Sequence, residues 1–319
     1  MPYFSSSTDG ARLHYVDYVP SRNNPKAPAR FCATSDPSKD FSTHEQVTLV
    51  FIHGWPMSHR MYEHLMLRLS ETHGVRCVAS DRRGFGDSEW SGSKGSGEPI
   101  TYDTFARDTV DLLETVFQGN GEDKGVFYFV ASSMGCGETA LAYHLLNSSS
   151  SPSLKQRCHG FIWLGTSLPF PLKTDMNPLA PPRELWDAIL QGFRDDRVGF
   201  TRAAIPGVFG EPFNIGIELT PTVKERFERI VEKADALALE RCIQIISGTD
   251  LTETVKGLDG EDVRLLVIHG DNDQSEFPSC LSLFLLPFVL GRDLVHGPMT
   301  CLAVCLMHML RPCLAFPLP

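Results

Sequence analysis

Five short runs constrain this chain more than anything else in it: VTLVFIHG, VRCVAS, GVFYFVAS, GFIWLGTS and VRLLVIHG. Each is apolar over most of its length and lacks the alternation of a half-exposed strand, as expected for strands covered on both faces. Helical patterns separate them. Met61, Leu65 and Leu69 recur at helical spacing ahead of a capping Gly74, and TYDTFARDTVDLLETVF carries Phe105, Leu112, Leu113 and Val116. Strands alternating with helices predict an α/β fold with a doubly wound, mostly parallel sheet. RLHYVDYVP reads as a further strand ending at Pro20, and residues 21–45 as a surface loop.

The alternation breaks once. Residues 167–262 contain helical stretches (PPRELWDAILQGFRDD and PTVKERFERIVEKADALALERCIQIISG) and no strong strand. The expected organisation is therefore a core formed by residues 1–166 and 263–319, with a helical cap inserted at 167–262. A hydrophobic fraction of 42% and a charged fraction of 21% suit a globular chain with a sizeable core. The net charge of −10, with no Lys/Arg block, argues against a nucleic-acid surface or an anionic membrane as partner. The N-terminus lacks a basic region followed by an apolar core, and nine irregularly spaced cysteines fit free thiols in a reducing, cytoplasmic setting.

The chemistry points to FYFVASSMGCGETA, where a buried strand meets a helix. Ligands of a parallel sheet bind beyond the C-terminal ends of its strands. A nucleophile on a tight strand-to-helix turn needs small residues two before and two after it. Centred on Ser133, those positions are Ala131 and Gly135; centred on Ser132, they are Val130 and Met134. Sterics select Ser133, with Gly137 expected to let the helix pack close to the sheet. A serine nucleophile requires a histidine base, a carboxylate to orient it, and donors for the oxyanion. The Met134 N–H is one candidate donor. The other is the Trp55 N–H, freed by the turn HGWP after VTLVFIHG. His53 in that turn is expected to buttress it rather than act as base. Asp271 and Asp273, just past VRLLVIHG, are the candidate carboxylates, with Asp273 preferred.

These pieces together resemble the α/β-hydrolase fold family, and within it the metal-free haloperoxidase/esterase group. The matching segments are FIHGWPMSHRMYEHLM, VASDRRGFGDSEW, YDTFARDTVDLLE, SSMGCGETA and LLVIHGDND. The resemblance implies a Ser-Asp-His triad with Ser133 as nucleophile and Asp273 as acid, and an oxyanion hole at Trp55 and Met134. It also implies hydrolysis of a small acyl substrate with no metal or other cofactor, and in some members a second use of hydrogen peroxide. Asp81, Arg83 and Gly84 match a supporting loop. Serine at position 133 argues against relatives with Asp or Cys nucleophiles, namely dehalogenases, epoxide hydrolases and dienelactone hydrolases.

Past Pro278 the chain departs from the family pattern. Arg292, Asp293 and Arg311 are its only formal charges, and Cys280, Cys301, Cys305 and Cys313 crowd into it without a clear helix-then-strand order. Its composition alone also motivates a further reading, a segment read from a shifted or unspliced coding frame. His296, in LVHGP, follows Asp273 at roughly the separation the family uses for its base, and His308 is the other candidate. The apolar runs LSLFLLPFVL and MTCLAVCLMHML fall short of the ~18–20 residues that span a bilayer. Cys301, Cys305 and His308 lack an evident fourth ligand for a metal. Trp55, Leu168, Phe170 and Trp186 are the expected lining of an acyl pocket. A second reading is a relative without a working base that binds a small apolar ligand; a third is perhydrolysis.

Overall fold

The computed structural model describes residues 2–20, 47–93, 97–117, 125–148, 153–175, 177, 178, 180–211 and 218–270, and the backbone of 293–297. The 21–45 loop, Asp271, Asp273, Cys301, Cys305 and His308 lie outside the described residues.

Eight strands form one sheet: β1 (Tyr3–Ser5), β2 (Arg12–Tyr18), β3 (Val47–Ile52), β4 (Arg76–Ser80), β5 (Val126–Ser133), β6 (Cys158–Thr166), β7 (Arg264–Gly270) and β8 (Asp293–Gly297). Their spatial order is β1-β2-β4-β3-β5-β6-β7-β8. β1 and β2 pair antiparallel, as do β2 and β4. From β4 through β8 every pairing is parallel. The apolar runs are strands buried on both faces. In β3, Val50 and Ile52 join the larger cluster with β5 and β6 residues Phe127, Phe129, Phe161 and Trp163; Leu49 and Phe51 join a second cluster with Leu65, Met66 and Leu69. The second group belongs to α1 (Glu63–His73), which ends at Gly74 in the left-handed region (φ 68°). The opposite face is covered by α2 (Tyr102–Phe117) and α3 (Met134–Leu145), through Phe105, Leu112, Leu113 and Ala140. A five-residue helix, α4 (Ser153–Arg157), leads into β6.

Between β6 and β7 lie α5 (Arg183–Val208), α6 (Pro221–Glu232), α7 (Ala236–Gly248) and α8 (Thr252–Lys256). The sequence pattern for α5 runs out at Asp196. There the backbone leaves helical geometry (φ −153°, ψ 84°), and the Asp196 carboxylate accepts the Gly199 N–H at 2.9 Å, restarting the helix after a kink. The long stretch beginning at Pro221 is divided instead of continuous. Asp235 caps α7 by accepting the N–H groups of Leu237 and Ala238, while its own N–H donates to Gly84 O at 2.7 Å. Gly84 has φ +71°, and an added Cβ would lie 2.3 Å from Ala238 Cβ. The helical insertion is therefore docked on the loop after β4, with Trp186, Leu190, Leu239, Cys242 and Ile246 joining the main core. No helix of the described residues is long and apolar enough to cross a membrane.

Candidate active site

β5 ends at Ser133 and α3 begins at the next residue, with no loop between them. Ser133 has φ 49° and ψ −120°, and it is the one non-glycine residue with positive φ among the described residues. A β-carbon in that region is strained, by about 1–3 kcal/mol, so the surroundings must hold it there. A Cβ on Gly135 would meet Ile52 O at 2.7 Å and His53 O at 3.0 Å, at the end of the neighbouring strand β3. Gly137 faces Leu251 and Tyr102 side chains, not the sheet. Ala131 is fully buried, paired with Ile52 on one side and Trp163 on the other.

The turn after β3 adjoins the serine directly. A Cβ on Gly54 would come within 3.3 Å of Ser132 O and 3.4 Å of Ser133 Cβ. The turn closes through Met57 N–H to Gly54 O at 3.0 Å, a bond that does not use the Trp55 N–H. The Met134 N–H opens α3, where no helical carbonyl precedes it. Two more contacts brace the strand ends: Tyr62 Oη donates to Ile52 O at 3.2 Å, and Tyr102 Oη donates to Met134 O at 3.2 Å. Tyr62 also hydrogen-bonds the Ser132 side chain.

His53 is a buttress. Its Nε2 accepts the Arg82 N–H at 2.9 Å, which fixes the neutral tautomer with Nδ1–H donating to Gly54 O at 2.9 Å. Complete burial, with the Arg82 cation nearby, pushes its pKa down to about 3. A histidine that ordinarily titrates near 6.5 thus protonates in the unfolded chain well before it does in the folded one. Its contribution is fully present above about pH 6.5 and is lost as pH falls towards about 3. We predict an acid-limb loss of stability of up to about 1.4 kcal/mol per pH unit in this window, read from urea midpoints, that is diminished in His53→Gln.

The supporting loop is denser than the motif suggested. Asp81 accepts His14 Nδ1–H at 2.9 Å, His59 Nδ1–H at 2.7 Å, and the backbone N–H groups of His59 (2.9 Å) and Asp87 (3.1 Å). These donors hold its carboxyl well below the usual carboxylate range despite burial. His14, His59 and Asp81 are grouped closely enough to resemble metal ligands. Both Nδ1 atoms, however, direct protons at the carboxylate at hydrogen-bond distance, which does not suit an ion held ~2.0–2.2 Å from each ligand. Arg83, fully buried, donates to Asp108, to Asp9 (2.9 and 3.0 Å) and to Ser6 (2.6 Å). Arg82 joins Glu138 and His53 O, each at 2.7 Å. Arg82, Tyr62, His14 and His59 carry no individual signal in the sequence that marks them for these roles. A lone carboxylate in the apolar helix MGCGETALAYHL was the available signal for Glu138.

Among the expected pocket residues, Leu168 and Trp186 are buried in the main cluster, and Trp55 packs against it with its ring edge-on to Phe193 of α5 at 5.3 Å. Trp186 commits its Nε1–H to Pro171 O at 3.0 Å. Phe170 is half-buried, its carbonyl accepting Asn177 Nδ2–H at 2.8 Å. His296 falls in β8, a strand the sequence pattern does not announce, one residue before its end and opposite His269. β6 and β7 lie between β5 and β8, so three inter-strand spacings, about 14 Å, separate the strand axes of Ser133 and His296. Cys77, Cys136, Cys158 and Cys242 are buried free thiols.

The sheet order, the strained serine and its paired turn define a hydrolase scaffold, and comparison with known proteins agrees. Residues 49–297 match the model of the "Alpha/beta hydrolase family", and the chain belongs to that family. A non-heme chloroperoxidase of Kitasatospora aureofaciens is 31% identical over 228 residues, 71% of this chain and 74% of that protein. A "bifunctional esterase/perhydrolase" of Acinetobacter calcoaceticus is 28% identical over 238 residues, 74% and 78% of the two chains. The solved bromoperoxidase of Bacillus anthracis shares the fold with a TM-score of 0.72 at 21% identity, covering 98% of this chain and 97% of the other. Within the family the chain falls in the metal-free haloperoxidase/esterase-like group.

Proposed function

We propose that this α/β-hydrolase is a serine hydrolase of small esters or related acyl compounds. Ser133 Oγ attacks the acyl carbon, His296 takes its proton and later returns it to the leaving group, and Asp273 orients the imidazole. The N–H groups of Trp55 and Met134 hold the oxyanion. Residues 167–262 cap an apolar acyl pocket to which Trp55, Leu168, Phe170 and Trp186 contribute. The carrying observation is the backbone of Ser133: a strained residue at the C-terminal rim of a parallel strand, against the glycine turn that leads to Trp55. That strain has no evident use in packing alone.

Two strands, β6 and β7, lie between β5 and β8, so the identity of the base is the part of this proposal that needs a direct test. Turnover of p-nitrophenyl acetate by His296→Ala and His308→Ala separates the two candidates. The proposal expects a loss on the order of 10³-fold or more in His296→Ala and a near-normal rate in His308→Ala. The reverse pattern transfers the role to His308.

The relatives named chloroperoxidase and esterase/perhydrolase favour a second activity at the same serine. Hydrogen peroxide would replace water in discharging the acyl-enzyme, breaking the Ser133 Oγ–acyl bond and releasing a peracid. Peroxide-dependent halogenation that requires an added carboxylic acid, and that vanishes in Ser133→Ala, tests it.

Gly135→Ala is predicted to lower kcat by about ten- to a hundredfold, because the methyl must displace the end of β3 and with it the donor turn. Ester kinetics on the folded variant check this.

A further inference from the structure

Resting on the Ser133 hydrolase reading, we propose that Arg82, paired with Glu138, is a positioning residue that fixes the oxyanion turn at His53–Trp55 against the helix that follows the nucleophile. Three elements meet at this one side chain. Arg82 follows β4; its Nη2 donates to His53 O and its Nε donates to Glu138 Oε2, both at 2.7 Å. Glu138 lies in α3, and its other oxygen accepts Thr109 Oγ1–H of α2 at 2.7 Å. The Arg82 backbone N–H meanwhile donates to His53 Nε2. His53 is thus gripped at its carbonyl and its ring, and passes the constraint to Gly54 O through Nδ1–H.

The guanidinium is nearly inaccessible, at 2% exposure. Its Nη1 has no protein partner, so its bonding is concentrated on His53 and Glu138. A buried ion pair kept only for stability would not need to reach the carbonyl two residues before the proposed oxyanion donor. Such pairs are often no better for stability than apolar replacements. What the pair does supply is a rigid reference between the donor turn and α3. Oxyanion donors must be held to a fraction of an ångström.

The experiment uses the full chain with three variants: Arg82→Met, Arg82→Lys, and Arg82→Met with Glu138→Met. Each is assayed for p-nitrophenyl acetate turnover, urea midpoint and inhibition by an alkyl trifluoromethyl ketone. Addition to that ketone forms the Ser133 Oγ–carbon bond and moves the carbonyl π pair onto oxygen, while the serine proton passes to the base. In Arg82→Met, kcat falls about ten- to a hundredfold with KM changed by less than about threefold, and ketone affinity falls by the same factor as kcat. The double variant, freed of a lone buried carboxylate, regains its urea midpoint but not kcat. Lysine, which can keep one bond to His53 O, recovers part of the rate. A folded double variant with wild-type kcat, or a loss confined to KM, overturns the proposal. A wild-type protein that neither turns over ester nor reacts at Ser133 with a fluorophosphonate overturns the hydrolase reading and this inference together. Labelling of Ser133 with kcat unchanged in the variants overturns this inference alone.

Discussion

Ser133→Ala lowers ester kcat by on the order of 10⁴-fold or more, while leaving the urea midpoint equal to or above that of the wild type. Both halves follow from the same backbone. Only the hydroxyl group is lost, and with it the bond that would form to the acyl carbon; the proposed donors at Trp55 and Met134 are untouched by the substitution, so KM is expected to change little. The residue at 133 keeps φ 49° because its neighbours impose it. Gly54 and Gly135 press the end of β3 against the turn, and Tyr62 and Tyr102 tie the flanking carbonyls. Alanine bears the same backbone strain as serine, so stability has no reason to fall. Turnover that survives the substitution would remove Ser133 from the reaction.

The largest effect on stability is expected at Arg83. Arg83→Met leaves Asp9 and Asp108 buried without their cation, and breaking such a group costs about 3–5 kcal/mol. The guanidinium joins α2, through Asp108, to the N-terminal segment, through Asp9 and Ser6, beneath the loop that follows β4. Asp9 also accepts N–H groups of Ala11 and Gly92. With Arg83, these bonds outweigh the cost of burial and hold its pKa down at about 2. A carboxyl depressed on folding adds stability that is present above its usual value near 4 and lost as pH falls towards about 2. The part of the gap between wild type and Arg83→Met that comes from Asp9 therefore narrows in that window. Chemical denaturation at neutral pH and at about pH 3 reads both effects. A variant as stable as wild type at neutral pH would show that the cluster is neutral or replaceable. Because the hydrogen-bond partners of the Arg83 side chain are Asp9, Asp108, Ser6 and Trp90 O, none of them in the turn at Ser133, the kcat of the surviving folded protein should stay near normal.

Much of the fold was legible in the sequence because burial on both faces leaves an unambiguous imprint. VTLVFIHG, GVFYFVAS and VRLLVIHG could hardly be anything but central strands, and the three become β3, β5 and β7. What escaped was set by tertiary contacts. β1 is three residues long and carries no pattern of its own. The break between α6 and α7 comes from Asp235 answering Gly84, a residue distant in sequence. Continuation of α5 past Asp196 depends on one side-chain cap.

The site divides along the same line. The small residues around Ser133 marked it as the centre of a sharp turn, and the positive φ falls there, because such steric demands fall on residues close in sequence. His53 could be set aside as base because it lies inside that turn. The Arg82–Glu138 pair was not visible, since nothing in the order of residues says that two charges fifty-six positions apart will meet beneath a strand end. The proposed partners His296 and Asp273 lie past Gly270, where composition gives little pattern to reason from.

Covalent labelling tests whether Ser133 is an activated nucleophile at the sheet's rim. The full-length protein is incubated with a fluorophosphonate, digested, and the modified peptide sequenced by mass spectrometry. A single adduct on Ser133 is expected, formed in a time-dependent manner and abolished by Ser133→Ala. No adduct, or an adduct on Ser132 that persists in Ser133→Ala, would contradict it.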